Sequence, residues 1–328
     1  MTDPEPIGPD DNARRRLGGW FAERFPVLML VFGLPSFLAA NLVGQISFQE
    51  AGTPQVTLGA AQVLGWLCAV GFLLCVRIFD EHKDYADDVR LHPGRILSRG
   101  VVTLGELRAI NAANIAVMVL YCLWMDGGIG PVTVTWLIAF GWLLLMRREF
   151  FVADWLRPRL VLYALSHAVV TPLVTWWMVT TGTGSLERNR VMVPYAVAAY
   201  SSSLLFEFAR KMLPPGRERP DVATYTSVLG PRTAAQLAAG FAMLHVAAMA
   251  GVLLLVRRGV DALVLIVGLI VMGILAAVTA LGFAHFGSVP SDETHKPLEP
   301  LAGLTMLVPS LVVITGIVVA ADVTWGWT

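Results

Sequence analysis

Charged residues are scarce in this sequence of 328 residues. Asp, Glu, Lys and Arg make up 15% of it, against about a quarter in soluble domains. Hydrophobic residues make up 56%, and the mean hydropathy is +0.65. This balance excludes an ordinary soluble domain and predicts an all-α integral membrane protein. The 24 basic and 24 acidic residues cancel, so the net charge gives no reason to expect a nucleic-acid partner.

Cysteine is rare as well. The three cysteines, Cys68, Cys75 and Cys122, fall in apolar segments and form no C-x-x-C pair. This excludes a disulfide framework and a cysteine-based metal site. We expect the three side chains to pack as small hydrophobic groups.

The first thirteen residues, MTDPEPIGPDDNA, contain no apolar stretch, and Arg14, Arg15 and Arg16 follow them. A cleavable signal peptide needs an apolar segment, so none is predicted here. We expect residues 1–16 to form a disordered cytoplasmic tail. Residues 17–328 are expected to form a single membrane domain.

Long apolar segments dominate the remaining chain. A helix that crosses a bilayer needs about 20 mostly apolar residues. Pro26, Pro131 and Pro194 lie near the starts of such segments, where the missing N–H of proline removes no helical hydrogen bond. About nine spans are predicted, at residues 26–46, 58–79, 104–125, 131–147, 160–181, 191–209, 233–256, 261–283 and 301–321.

The basic residues are distributed unevenly between the loops. A cytoplasmic N-terminus followed by nine spans makes 47–57, 126–130, 182–190, 257–260 and the C-terminus external. Only four of the 24 Lys and Arg residues fall in these segments, namely Arg188, Arg190, Arg257 and Arg258. The positive-inside rule therefore favours an internal N-terminus and an external C-terminus in a cell inner (plasma) membrane.

The segment RIFDEHKDYADD (77–88) follows sixteen residues without a charge. One continuous helix would place its five carboxylates within an arc of about 120°, and Arg77 on the same face. Carboxylates at a helix C-terminus oppose the helix dipole, so a counter-cation is expected. Mg²⁺ suits them because it joins carboxylates to phosphate oxygens; a solvated acidic helix end is the alternative. The five carboxylates are those of Asp80, Glu81, Asp84, Asp87 and Asp88.

This spacing resembles the first aspartate-rich motif of the UbiA superfamily of intramembrane prenyltransferases, N-D-x-x-D-x-x-x-D. The match here is Asp80-Glu81-x-x-Asp84-x-x-x-Asp88, with Asp in place of Asn and Glu in place of the first Asp. The segment RLHPGRILSRGVV (90–102) is similar to the basic loop and R-P-x-x-x-G-x-[IV] stretch of that family. Its matching positions are Arg95, Ser98 and Gly100.

The family carries a second acidic motif after the sixth span, commonly D-x-x-D-x-x-x-D, and then G-x-x-T-L-P-x-x-x-G. In this sequence TYTSVLG (224–230) resembles the final part, whereas the acidic part differs. Glu207 takes the place of the first Asp, and Arg210 and Pro214 take the other acidic positions. Two interpretations stay open. Glu207 ligates metal while Arg210 and Lys211 bind diphosphate, or Glu207 and Lys211 form an ordinary helical ion pair.

Two further features lie near the same predicted face. The segment MRREFFVADWLRPRLVLYALSH (146–167) is rich in Arg and aromatic residues, which suits either a cap over an active site or an interfacial belt. His167 is expected in a span, where a hydrogen-bonded packing role is the more common one. Asn41, in the first span, is a weak candidate on the acceptor side because an unpaired amide in lipid is costly.

The resemblance implies a UbiA-like bundle and Mg²⁺-dependent transfer of a prenyl group. The donor would be a prenyl diphosphate and the acceptor a small aromatic or lipid molecule, with the active site on the cytoplasmic face. The predicted metal and diphosphate ligands are Asp80, Glu81, Asp84, Asp88 and Glu207. The predicted phosphate-binding cations are Arg77, Arg95, Arg210 and Lys211.

Two other classes of function stay open. A terpene cyclase or a phosphoribosyl-type transferase on the same scaffold would account for the altered second motif. A cation transporter would account for the acidic residues, although transporters usually bind ions near the bilayer midplane. The oligomeric state is not predicted.

Overall fold

The computed structural model describes residues 7–49, 52–219 and 222–326. Strands β1 (Gln55–Gly59) and β2 (Asp322–Gly326) are the regular strands of these ranges, and Glu149–Phe151 and Pro215–Arg217 are 3-10 turns. The helices are α1 (Ala13–Arg24), α2 (Leu28–Ile46), α3 (Ala60–Lys83), α4 (Tyr85–Leu91), α5 (Leu104–Asp126), α6 (Pro131–Arg147), α7 (Ala153–Leu156), α8 (Leu160–Ala168), α9 (Val170–Thr183), α10 (Met192–Lys211), α11 (Tyr225–Leu229), α12 (Pro231–Leu255), α13 (Ala262–Ser288), α14 (Asp292–His295) and α15 (Leu298–Ala320).

Each of the nine predicted spans is helical. Among the described residues, seven helical segments are long and apolar enough to cross a membrane. The fourth predicted span is the shorter α6, and the sixth is α10, which carries serines and charged residues. The chain is therefore a multi-pass, all-α membrane protein, and the count of nine crossings stays a prediction.

Local sequence sets several helix ends. Thr103 caps α5 and pairs with Glu106 in a capping box. Asp126 ends the same helix and accepts hydrogen bonds from the N–H groups of Val132 and Thr133 at the start of α6. These bonds satisfy N–H groups that a helix leaves without partners in its first turn. The turn between the two helices is thereby held in one conformation.

Helices α2 and α9 pack closely because small residues face each other. A Cβ atom on Gly44 would collide with the carbonyl group of Val179, and one on Gly182 with that of Asn41. The Asn41 amide donates to Thr181 Oγ1 at 2.9 Å and its oxygen accepts from Gln45. Asn41 therefore serves helix packing in this structure, as interhelical polar groups commonly do in membranes.

A two-stranded parallel sheet closes one end of the bundle. Strand β1, just before α3, pairs with β2, just after α15, with Gln55 opposite Asp322 and Gly59 opposite Gly326. The acidic segment lies at the opposite end of α3. The end of α15 thus lies at the end of the bundle away from the acidic segment, the arrangement that the predicted topology requires.

Helix α1 packs against the loop that follows the acidic segment. Trp20 is fully buried in an apolar cluster with Ile96, Val101 and Leu107, and Arg16 pairs with Glu106 at 2.7 Å. Residues 1–6 of the expected tail lie outside the described residues. Residues 13–16 belong to α1, so ordered structure begins earlier than the boundary at residue 16 that the sequence predicted.

Candidate active site at the end of α3

Helix α3 ends inside the acidic segment. Asp84, with φ −98° and ψ 7°, lies between the last residue of α3, Lys83, and the first residue of α4, Tyr85. The predicted single face of five carboxylates is therefore wrong, because it assumed one continuous helix. The break sends Asp87 into solvent, with 68% of its side chain exposed and Arg90 as its ion-pair partner.

Glu81 is the most buried of the five carboxylates, with only 1% of its side chain exposed. Its Oε1 atom accepts a hydrogen bond from Arg24 Nε at 2.6 Å and lies 3.2 Å from Arg77 Nε. Arg77, predicted from sequence, and Arg24, which the sequence did not predict, thus share one carboxylate. Buried charge is stable only when paired in this way.

Asp88 lies in α4 and binds two arginines from outside that helix. Arg95 Nη1 lies 2.7 Å from Asp88 Oδ1, and Arg24 Nη2 lies 3.4 Å from Asp88 Oδ2. Arg24 therefore connects α1 both to the end of α3 and to α4. The structure brings the predicted residues Asp88 and Arg95 together as an ion pair.

Asp80 and Asp84 make fewer ion pairs with protein cations than Glu81 and Asp88 do. Asp80 pairs with Lys83 at 3.4 Å and keeps 42% of its side chain exposed, while Asp84 has no ion pair with a described residue. Burial raises the pKa of the Asp84 carboxyl above its usual range; the Lys83 ammonium opposes this rise, and the carboxylates of Asp80 and Asp88 add to it. A cation bound here would reverse that effect, because positive charge favours the ionised carboxylate.

A second group of charged residues, besides those of residues 77–88, lies at the end of α10. Glu207 pairs with Arg210 at 2.8 Å and with Lys211 at 2.7 Å. Arg210 is close enough to Asp80 and to Arg77 on α3 for their charges to interact. The charges at the ends of α3 and α10 therefore influence each other, and a shared site between these two ends stays a prediction. The pair of Glu207 with Lys211 is the ordinary helical ion pair that the sequence offered as an alternative to metal binding. The binding of metal or diphosphate by these residues stays a prediction.

The segment TYTSVLG folds back against α10. Thr224 caps α11, and Thr226 Oγ1 accepts a hydrogen bond from the N–H of Leu213 just after α10. The Tyr225 ring stacks on Phe208 with 3.8 Å between centroids. Since Phe208 follows Glu207 directly, this segment supports the helix end that carries the second charged group.

A buried polar cluster that the sequence did not predict adjoins Asp80. Glu149, 4% exposed, lies 3.4 Å from Lys83 Nζ and 3.4 Å from His167 Nε2, and it accepts a hydrogen bond from the Tyr163 hydroxyl at 3.1 Å. The cluster ties the turn after α6 to α3 and α8. His167 also lies 2.8 Å from the Tyr163 carbonyl oxygen through Nδ1 and stacks on the Tyr163 ring, which suits the packing role.

The turn that carries Glu149 has an unusual backbone. Glu149, Phe150 and Phe151 have φ values of 49°, 53° and 60°, in the left-handed region that disfavours residues with a Cβ atom. Such a conformation persists where surrounding contacts enforce it. Here Phe150 packs edge-on against His167 and Trp142, and Glu149 has the ion pairs of the buried cluster.

The acidic and histidine residues in and around α14, which lies between α13 and α15, contact other parts of the protein. His295 Nε2 lies 2.7 Å from the Met212 carbonyl oxygen, and Glu293 pairs with Lys296. Asp292 lies 3.8 Å from Arg217. These contacts connect the loop to the end of α10 and to its own helix, α14.

A Mg²⁺ ion at this site would be held by few protein groups. In the described ranges no three His, Cys, Asp or Glu side chains converge as a metal-binding group. Mg²⁺ commonly uses only one or two protein carboxylates and completes its shell with water and phosphate oxygens. Asp80 and Asp84, one turn apart and without a shared arginine, meet that need. Glu81 and Asp88, which the sequence also predicted as ligands, are bound by arginines instead.

Two solved structures share the architecture. One is a UbiA homolog from Aeropyrum pernix K1, with 18% identity, a TM-score of 0.59 and coverage of 89% of this chain and 98% of that one. The chain has the UbiA fold. A digeranylgeranylglyceryl phosphate synthase of membranes also matches, with 14% identity, a TM-score of 0.59 and coverage of 93% and 99%. No family model and no curated protein matches the sequence.

The fold predicted from the UbiA resemblance is thereby confirmed. Sequence reasoning missed three contributors to the charged end of the bundle, which are Arg24, Lys83 and Glu149. Arg24 lies between the predicted tail, residues 1–16, and the first predicted span. Glu149 lies in a segment that is rich in basic residues. The one available signal was the surplus of carboxylates over nearby cations in residues 77–88, which required a partner from elsewhere in the chain.

Proposed function

We propose that this UbiA-fold protein is a Mg²⁺-dependent prenyltransferase of the cell inner membrane, with its active site on the cytoplasmic face. It transfers a prenyl group from a prenyl diphosphate to a small aromatic or lipid acceptor. The observation that supports this most is the presence of charged groups at two helix ends, Asp80 and Asp84 at the end of α3 and Glu207 with its two cations at the end of α10, in a bundle with the UbiA fold. Carboxylates and guanidinium groups together suit a metal-bound diphosphate.

The residues divide between metal and phosphate. Asp80 and Asp84 would hold Mg²⁺, which when bound neutralises charge on the diphosphate oxygens. Arg77, Arg210 and Lys211 would bind the same diphosphate directly, with guanidinium groups able to hold two oxygens at once. Asp88 keeps Arg95 in place at the edge of this site.

The transfer needs the prenyl carbon to separate from the diphosphate oxygen, which leaves with the bonding electron pair. The acceptor then forms a bond to that carbon and loses a proton. Cations fixed in the protein stabilise the departing charge, and an apolar surrounding keeps water from the allylic cation. The apolar helices of the bundle would provide that surrounding.

The test uses purified protein in detergent with farnesyl or geranylgeranyl diphosphate, with and without 4-hydroxybenzoate or a glycerol phosphate ether lipid. Diphosphate release that requires both Mg²⁺ and an acceptor supports the proposal. Release without an acceptor, together with a cyclic hydrocarbon product, would identify a terpene cyclase. Absence of release with every donor, together with cation uptake into proteoliposomes, would identify a transporter.

Matched variants locate the site. Asp80→Asn and Asp84→Asn should each lower the transfer rate by about 100-fold or more, because each removes a proposed metal ligand. Asp87→Asn is the control, since that side chain points into solvent, and it should keep the wild-type rate. An equal loss in all three proteins would indicate a structural role for the segment.

The altered second motif is tested separately. The double variant Arg210→Ala, Lys211→Ala should raise the KM for the donor more than that for the acceptor, because both cations are proposed to contact diphosphate. Glu207→Gln should weaken the dependence on Mg²⁺ if Glu207 contributes to metal binding. Wild-type kinetics in the double variant would make the end of α10 a structural ion-pair group.

A further inference from the structure

Glu81 is the residue at which this sequence departs from the UbiA motif by having Glu in place of Asp. Its carboxylate is almost fully enclosed, and its Oε1 atom contacts two guanidinium groups. One belongs to Arg77, one turn earlier on α3, and the other to Arg24, at the last residue of α1. The additional methylene of Glu, compared with Asp, extends the side chain by about 1.5 Å.

We propose that Glu81 is a positioning residue, which holds Arg24 and Arg77 at the diphosphate end of the site and does not ligate metal. The proposal rests on the proposed function, because it assigns these arginines to the same diphosphate site. Helix α1 is then part of that site, because it supplies Arg24.

The burial of Glu81 argues for this role. A metal ion on its carboxylate would have to displace a guanidinium group from an enclosed position, and would leave that cation without its partner. Removing one member of a buried ion pair is strongly unfavourable. Asp80 and Asp84, by contrast, retain exposed surface or lack an ion pair, so metal can bind them at lower cost.

The position of Arg24 is set by contacts along α1. The neighbouring Glu23 accepts a hydrogen bond from the N–H of Ile96 at 3.1 Å, and Trp20 is buried one turn earlier. Arg16 at the other end of the helix donates to the Val101 carbonyl oxygen at 2.7 Å. The helix is therefore anchored on the loop after α4, and its last residue is directed at Glu81.

The arginines together form a concentration of positive charge. The charge of Arg77 interacts with that of Arg24 and with that of Arg210, and Arg24 and Arg77 share the Glu81 carboxylate. Like charges repel, so this arrangement requires compensating anions. Glu81, Asp88 and Glu207 supply carboxylates that pair with these arginines, and guanidinium groups held in this way can also bind the oxygens of a diphosphate.

The experiment measures two affinities of the full-length protein without turnover. Inorganic diphosphate binding is followed by calorimetry in the presence of Mg²⁺, and Mn²⁺ binding without diphosphate is followed by electron paramagnetic resonance. The variants are Glu81→Gln, Glu81→Asp and Arg24→Gln. Arg90→Gln is the control, because Arg90 is an exposed arginine of the adjacent helix whose partner is Asp87.

The positioning role predicts a distinctive pattern. Glu81→Gln and Arg24→Gln should each weaken diphosphate binding about tenfold or more and change Mn²⁺ affinity less than twofold. Glu81→Asp should also weaken diphosphate binding, because the shorter side chain does not reach Arg24. The control should bind both as the wild type does. If Glu81→Gln does not fold, Arg24→Gln is sufficient for the test. In that variant Glu81 is still paired with Arg77, so its buried charge has a partner.

Two results would overturn the proposal. One is a tenfold loss of Mn²⁺ affinity in Glu81→Gln that Glu81→Asp restores, as expected for a metal ligand. The other is wild-type diphosphate affinity in Arg24→Gln. A failure of the proposed function gives a different result, because wild-type protein would then bind diphosphate with the predicted dependence on Arg24 and Glu81 yet transfer no prenyl group.

Discussion

Asp84 lies where two helices meet, and its surroundings explain its altered acidity. The helix break gives its carboxylate no ion-pair partner among the described residues, and burial raises its pKa. Asp87, three residues later, points into solvent, while Glu81, three residues earlier, is enclosed. Carboxylates of one short segment thus have different surroundings because of their positions relative to the break.

The raised pKa of Asp84 should affect the pH dependence of the stability of the metal-free protein. A carboxyl whose pKa is raised on folding destabilises the fold when ionised, above the raised pKa, and has no such effect below the usual Asp value of about 3.9. Asp84→Asn should therefore raise the melting temperature at neutral pH, and the gain should disappear as the pH falls towards that value. Thermal unfolding with EDTA across this pH range checks it; a gain independent of pH would contradict it.

At the scale of an element, the turn Glu149–Phe151 combines an unfavourable backbone with a buried ion-pair cluster. Its three left-handed residues each cost about 1–2 kcal/mol, and the contacts of Glu149 and Phe150 offset this. Phe151 makes little compensating contact, since 76% of it is exposed. A substitution at Phe151 can therefore relieve backbone strain without loss of buried contacts, and the effect can be measured as a change in stability.

Phe151→Gly should be more stable than Phe151→Ala by about 1 kcal/mol, because both remove the ring and only glycine adopts positive φ without strain. Thermal unfolding of the two variants in the same detergent is the measurement. Equal stabilities would show that the turn relaxes to another backbone conformation when the ring is removed.

Helix α1 should separate from the bundle when its apolar anchor is removed. Trp20→Ala empties a fully enclosed site, and such changes cost about 3–5 kcal/mol. The chain should then become open to trypsin after Arg24, whose side chain is 13% exposed in the intact protein. Cleavage after Arg217, which is 54% exposed, is the internal reference. Protection at Arg24 in the variant would show that ion pairs alone hold the helix.

At the scale of the whole molecule, the orientation in the membrane is a prediction from the distribution of basic residues. Four of the 24 Lys and Arg residues lie in the predicted external segments, and the positive-inside rule places the rest on the cytoplasmic side. Reporter fusions after Gly128 and Pro215 should therefore give external and internal signals, respectively. The same location for both fusions would reject the nine-span topology.

The sequence by itself determined the positions of the helices. Backbone N–H and C=O groups in lipid must bond within their own helix, so each span is a local apolar segment and can be recognised locally. All nine segments are helical in the structure, and several boundaries, including those of 104–125 and 131–147, agree within a residue. The first acidic motif was likewise visible, because its residues are neighbours in the chain.

Only the tertiary structure decided how these parts meet. The periodicity of residues 77–88 did not show the helix break at Asp84, on either side of which Glu81 and Asp88 pair with Arg24 of α1. The pairs Arg24 with Glu81, Lys83 with Glu149 and Gln55 with Asp322 join residues far apart in the chain. Charged groups find such partners because an unpaired charge in a buried site is costly, and which partner lies within reach is a property of the packed bundle.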